Sequence, residues 1–425
     1  MNLHRLSILF LLLITAGCAG FSSPDVTPTP GVPITPSPAT PVVEAATVTP
    51  SGPLSLRIWL PPDFDPNPET PAGKILQDRL DEFTSRRPGS HIEVRVKETD
   101  GPGGLLDSLT TANAAAPLAL PDLVALPRPA LETAALKGLV HPFTDLADPI
   151  DAPEWFAYAQ QLARLQDSTF GIPFAGDAMV LAYRPSLLTQ PPQDLTSSLS
   201  SSGPLAFPAA DPQALFTLAL YQAAGGSIRD EQGRPLLQAD ILEEVLKFYQ
   251  DGSEAEFTPF WLSQLQTDDQ AWKEFTEQRA PQVVTWMSRY LSADQADMAA
   301  APLPTLEGND FTLANGWVWA LASPNAERQR LGAELAEFLS DADFLAEWTA
   351  ATGYLPPRAS GLENWRDAAL QALARQVAQS AQLFPAGDLL ASLAPVLQQA
   401  TIEVLKKQTD PKTAAQNAAK SLAVP

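Results

Sequence analysis

From Leu54 onward the chain switches between two hydrophobic periods. LSLRIWL alternates apolar and polar positions and is rich in β-formers, which predicts a strand. In KILQDRLDEFTSRRPG, Ile75, Leu76, Leu80 and Phe83 fall on one helical face, and Pro88-Gly89 ends the run. HIEVRVKE alternates again, and LLDSLTTANAAA predicts a second helix. PDLVAL is a short continuous apolar run, as in a strand buried on both faces. Strand, helix, strand, helix, strand is the order of an α/β layer.

The pattern continues with a helix over ALETAALKGL and an apolar loop, LVHPFTDL. Next comes GIPFAGDAMVLAYRPSLL, whose apolar block from Met179 to Tyr183 predicts a buried strand. Asp177 stands just before that block, and an unpaired carboxylate there would cost several kcal/mol. Beyond a Ser-rich stretch, PLAFPA reads as a strand and PQALFTLALYQAAGG as a helix, followed by the turn RDEQGRP. ILEEVLKFYQDG and QAWKEFTEQRA are amphipathic helices; PQVVTWM, MAAAPLP and NGWVWALAS read as strands. The remainder is mainly helical, broken at GYLPPR and FPAG, and no long repeat is present.

The first residues follow a different logic. MNLHRLSILFLLLITAGC has a basic start, an apolar run too short to span a bilayer, and small residues before Cys18. Thr15-Ala16-Gly17-Cys18 resembles a bacterial lipoprotein lipobox, with Thr15 in place of the usual Leu. The resemblance implies a signal peptide over 1–17 and acylation of Cys18, the sole cysteine, as a membrane anchor. The alternative is an ordinary signal peptide with an incidental cysteine. From Phe21 to Pro53 the chain is Pro- and Thr-rich, a semi-rigid tether over 18–53 that could extend roughly 100 Å. With one cysteine no disulfide framework is available, so the domain from 54 to 425 must rest on its core. A net charge of −22 argues against nucleic acid and anionic head groups as partners.

The order of phrases from Leu54 to the C-terminus resembles the extracellular solute-binding proteins of bacterial ABC importers, of the sugar-binding type. The phrases are LSLRIWL, LQDRLDEFTSRRPGSHIEVRV, ANAAAPLALPDLVAL with LETAALKGLVHPFTDL, YQAAGGSIRDEQGRPLL, APLPTLEG with NGWVWALAS, and LAEFLSDADFLAEWTAATGYLPPR. The resemblance implies an α/β, two-lobed periplasmic-binding-protein-like fold with a cleft that closes by hinge motion. Lobe one would hold about 54–176 and 299–340, and lobe two about 177–298 and 341–425.

The same resemblance assigns candidate ligand residues. GIPFAGDAMVLAYR looks like the strand that crosses beneath the cleft, with Asp177 facing a ligand's hydroxyls. Alternatively, Asp177 caps a helix or pairs with Arg184. The family's usual Asn-Lys after the aromatic is here Arg184-Pro185. Trp286 looks like a ligand-facing tryptophan of the second lobe, or it is core. Trp317 follows Asn315-Gly316, and Trp319 points the same way with a stronger claim to the core. Tyr354 and Arg358 lie in a loop that the family brings to the cleft, and Arg358 could instead form a salt bridge. Arg128 and Asp63 occupy cleft-rim positions, or solvated loops. Aromatic rings suit the C–H face of a sugar and polar side chains its hydroxyls. GDLLASLAP has no aromatic where binders of longer oligosaccharides often place one, which favours a mono- or disaccharide.

The function these features imply is capture of a small polar solute and its delivery to permease subunits, by a monomer anchored outside the cell membrane. A surface sensor or adhesion lipoprotein on the same fold is the second reading. A glycoside-acting enzyme is the third, since two carboxylates suffice. The exported part has only His91 and His141, and no nucleophile, zinc or phosphate-loop motif. No cofactor or metal is expected. Glu243-Glu244 and Asp268-Asp269 read as solvated faces.

Overall fold

The computed structural model describes residues 54–144, 150–200, 203–293, 296–363 and 365–422. The expected signal peptide, Cys18 and the tether lie outside the described residues. The first layer has β1 (Leu54–Leu60) between two parallel neighbours, β2 (Ser90–Val96) and β3 (Leu123–Pro127). Around them lie α1 (Pro71–Ser85), α2 (Leu105–Ala115) and α3 (Arg128–Leu136). Thr70 caps α1 by accepting from the Gly73 N–H, with Pro71 at its first position.

The chain continues through α4 (Ala157–Ala163) and a short hairpin, β4 (Arg164–Leu165) with β5 (Ser168–Thr169), into β6 (Ile172–Tyr183). Then come β7 (Leu205–Ala206), α5 (Leu215–Ala223), α6 (Ala239–Glu254), α7 (Asp268–Thr276), β8 (Gln282–Trp286) and α8 (Met287–Ser292). They are followed by β9 (Ala299–Pro302), β10 (Thr312–Leu321), α9 (Ala326–Phe338), α10 (Ala342–Thr352) and α11 (Ala368–Ser380). β11 (Ala381–Leu383), α12 (Gly387–Leu405) and α13 (Pro411–Leu422) end the described chain.

The main sheet runs β2–β1–β3–β10–β6–β8–β7, with β11 beside β10 and β9 beside β6. β6 joins its halves. Residues 172–178 pair antiparallel with β10, while residues 179–183 pair with β8 and, from 180, with β9. The burial follows the pairing: Phe174, Ala175 and Ala178 belong to a first core, and Met179, Leu181 and Ala182 to a second. β10 makes the same crossing, from Leu313 in the second core to Val318–Ala322 in the first. Two side-chain-free residues let these strands pass closely. Gly176 and Gly316 are cross-strand partners; a Cβ on Gly176 would come within 2.0 Å of the Tyr158 hydroxyl, and one on Gly316 within 2.5 Å of the Ala175 carbonyl.

The two cores make the two lobes, with boundaries that differ from the expected ones. Leu303 and Leu306 pack in the second core, not the first. Phe344, Trp348, Leu362 and Val377 pack in the first core, although 341–425 was expected in the second. The reason is aromatic packing: Trp348 lies 5.3 Å from Phe64, in the turn after β1, and 5.7 Å from Phe174 of β6, both in the first core. The chain returns to the second core at Phe384 and through Leu389, Leu390 and Leu393 of α12. Those leucines of GDLLASLAP are therefore core residues.

Candidate functional site

A cavity of about 600 Å³ opens above the crossing strands, between the two cores. It gathers Asp63, Asp177, Trp286, Trp317 and Tyr354 of the expected residues, together with Asp268, Trp272, Ser288, Arg289 and Asn315.

Asp177 sits where β6 changes sheets, opposite Asn315 of β10. Its Oδ1 accepts from the N–H groups of Ala178 (2.9 Å) and Ser288 (3.0 Å), and its Oδ2 from the Ser288 hydroxyl. Ser288 is in the first turn of α8, so the carboxylate meets one of that helix's free N–H groups. The capping alternative thus describes its protein partners, while its half-buried surface still lines the cavity. Burial pushes the carboxyl up to about 7; the Ser288 and Ala178 hydrogen bonds oppose that shift and the Asp268 charge adds to it. Arg184 is not its partner: the guanidinium is buried against the Phe275 carbonyl and Asp297.

The first-core wall is aromatic. Trp317, 8% exposed, meets Phe64 edge-on at 5.1 Å, and Tyr354 meets the same ring at 5.4 Å. Tyr354 is placed by Gly353, whose positive φ of 79° ends α10. The next residue, Leu355, is held by reciprocal backbone hydrogen bonds to Gly176 at 2.7 and 2.8 Å. Burial, then the charges of Asp177 and Asp63, raise the Tyr354 phenol, and a hydrogen bond with Trp317 opposes them. Trp319 is 1% exposed and stacks on Phe174 at 4.2 Å, so it is core.

The second-core wall is mixed. Trp286 ends β8 half-buried, at the entry to α8. Trp272 projects from α7 and packs at 5.4 Å on Phe275. Between them Arg289 forms ion pairs with Asp268 and Asp269. Asp268 also accepts from the Thr285 hydroxyl at 2.8 Å, and burial raises its carboxyl against the pull of Arg289. Asp268 is thus a cavity residue rather than part of a solvated face; Asp269 is exposed, as expected. Trp272, Asp268 and Arg289 were missed as site residues. The available signal was Trp272 beside the buried Ala271–Phe275 stripe of an amphipathic helix.

Two expected residues lie elsewhere. Arg128, at the first position of α3, is bound to Glu132 (2.7 Å) and to the carbonyls of Gln161, Leu162 and Arg164. Arg358 pairs with Glu154 at 2.8 Å and lies 4.0 Å over the Trp155 ring, beside a separate cavity of about 480 Å³. The salt-bridge alternative describes it. Among the described residues no group of His, Cys, Asp and Glu is arranged to hold a metal ion.

A model of the bacterial extracellular solute-binding protein family matches residues 78–374. Comparison with curated proteins finds no match. Among solved structures, the cyclic α-maltosyl-1,6-maltose binding protein from Arthrobacter globiformis is similar over 87% of this chain and 98% of its own, with 14% identity and a TM-score of 0.72. The sugar-binding protein MalE from Xanthomonas citri is similar over 87% and 97%, with 18% identity and a TM-score of 0.69. Maltose-bound MalE3 of T. maritima is similar over 87% and 99%, with 18% identity and a TM-score of 0.65. At these identities the likeness is one of fold.

Proposed function

Since the chain belongs to the bacterial extracellular solute-binding proteins, we propose that it captures a mono- or disaccharide in the cleft and delivers it to the permease subunits of an ABC importer. An extracellular family implies an exported protein, and the family is one of solute binders. The observation that carries the sugar reading is the set of aromatic rings on both sides of one polar cavity. Trp317 and Tyr354 come from the first core, and Trp272 and Trp286 from the second. Such rings cover the C–H faces of a pyranose, while side-chain carboxylates and amides take its hydroxyls. Asn315 has a buried Oδ1 that no donor meets among the described residues, and a ligand hydroxyl would satisfy it. Asp63 is exposed at the rim and available in the same way. Fold-level neighbours bound to maltose or maltotriose support this class.

Capture follows from the two crossing strands. A sugar seated on one wall would favour the state in which the other wall closes on it, and affinity would come from contacts made only there. In this reading the protein acts as a monomer, held outside the membrane by the acylated Cys18 and its tether.

The test is a thermal-shift screen of the full-length protein against sugars, polyols, sugar phosphates and amino acids. One sugar class should raise the melting temperature with concentration, and Asp177→Ala and Trp286→Ala should each weaken the effect. A shift that survives both substitutions would remove this cavity as the site. A shift from amino acids alone would remove the sugar reading.

A further inference from the structure

Charged groups in the cleft are unequally distributed. Arg289 is the only guanidinium or ammonium lining it among the described residues, and two carboxylates already offset its charge. Asp268 engages its Nε and Asp269 a terminal nitrogen, and the guanidinium carbon lies 5.9 Å from the centre of the Trp272 ring. Asp268 is itself fixed, in the first turn of α7 behind the Thr267 cap and by the Thr285 hydroxyl. The cavity's other charged groups are carboxyls: Asp177 at the crossing, and Asp63 at the rim with no cation paired to it among the described residues.

We infer that Asp268 and Asp269 determine the charge specificity of the cleft: by occupying its single guanidinium they leave no cation for an anionic solute, so the site takes uncharged sugars and rejects their phosphorylated and acidic counterparts. The inference rests on the proposed sugar reading of the same cavity. A sugar has the same ring faces and nearly the same hydroxyls with or without a phosphate, so aromatic walls do not separate the two. Charge does. A phosphate or carboxylate brought into the cavity with Asp63 and Asp177 would be desolvated beside carboxyl groups, with neutral donors but no second cation to compensate its charge. Specificity of this kind comes from a repulsive arrangement as much as from contacts with the preferred ligand.

The experiment is isothermal titration of the full-length protein with glucose, mannose and maltose, and with glucose 6-phosphate and glucuronate. At least one uncharged sugar should bind about tenfold or more tightly than either anion. The Asp268→Asn/Asp269→Asn protein should lose most of that ratio, because Arg289 becomes available, and adding Arg289→Gln should restore it. The ratio within each protein is the readout, so a general loss of affinity does not imitate the effect. Anions bound as tightly as the uncharged sugars by the unmodified protein would overturn the inference and leave the sugar reading standing. So would a ratio that the double variant leaves unchanged. Binding of none of these sugars would count against the sugar reading itself, and the inference would fall with it.

Discussion

On the first-core side of the cleft, Phe64 touches Trp317, Tyr354 and Trp348 at 5.1–5.4 Å, so one aromatic cluster runs from the core to the cavity surface. On the second-core side, Trp272 and Trp286 are only half-buried, and an ion pair and a capped helix end lie among them. The first wall is shaped by packing, which holds its rings in place before any ligand arrives. The second is shaped by charge, so its geometry depends on the protonation of Asp177 and Asp268. Stability and binding should be coupled on the first wall and separable on the second.

The largest effect should come from removing one ring from each wall. Trp317→Ala deletes an 8% exposed side chain of the first core and should cost about 3–5 kcal/mol in denaturant unfolding. Trp286→Ala, at the half-buried end of β8, should cost about 1 kcal/mol while weakening sugar binding. Equal losses of stability from the two would erase the distinction between the walls.

A somewhat smaller effect should appear with pH. The folded-state carboxyl of Asp177 stands near 7, above its value in the unfolded chain. Both states carry the proton below about pH 4, and no penalty applies there. As pH rises toward 7 the unfolded chain releases its proton first, so the stability of the native protein falls relative to Asp177→Asn. The relative loss should approach roughly 4 kcal/mol at most, and level off above the folded value. Paired urea titrations from pH 4 to pH 8 measure it. A difference between the two proteins that stays flat, or that grows in favour of the native one, would show that the α8 hydrogen bonds outweigh burial.

The contrast between the walls also explains which features the sequence makes legible. The crossing strand was legible because Asp177 is an anomaly within an apolar run, and local sequence suffices to expose an anomaly. Trp286 was legible because Ser288 and Arg289 follow it closely. Trp272, Asp268 and Arg289 were not, because an amphipathic helix shows which face is polar but not whether that face meets water or another lobe. The paired aspartates looked solvated for the same reason. Arg128 had a readable clue in Glu132, four residues on, but three of its partners are backbone carbonyls at the end of α4 and the start of β4, more than thirty residues away. The lobe boundaries were displaced by Phe344 and Trp348, whose helical spacing marks them as buried without saying in which core. α8 and β11 are too short for a period to announce them.

The smallest expected effect tests where the first wall ends. Arg358 belongs to the first lobe and stands only four residues after Tyr354, yet its guanidinium turns to Glu154 and the Trp155 face. Glu154 is exposed, so the ion pair contributes little, and the contact with Trp155 adds about 0.5–1 kcal/mol. Arg358→Ala should therefore lower stability by about 1 kcal/mol and leave the Kd for a bound sugar within about twofold of the unmodified protein. Tyr354→Ala, by contrast, removes a ring from the cavity itself and should weaken binding by more than that. The reason lies in the backbone: after Leu355 locks onto Gly176, the chain leaves the cavity, and its next residues serve the packing of the lobe. A tenfold loss of affinity in Arg358→Ala would place the Trp155 cavity in communication with the cleft, and the first wall would then extend past the aromatic cluster that bounds it here.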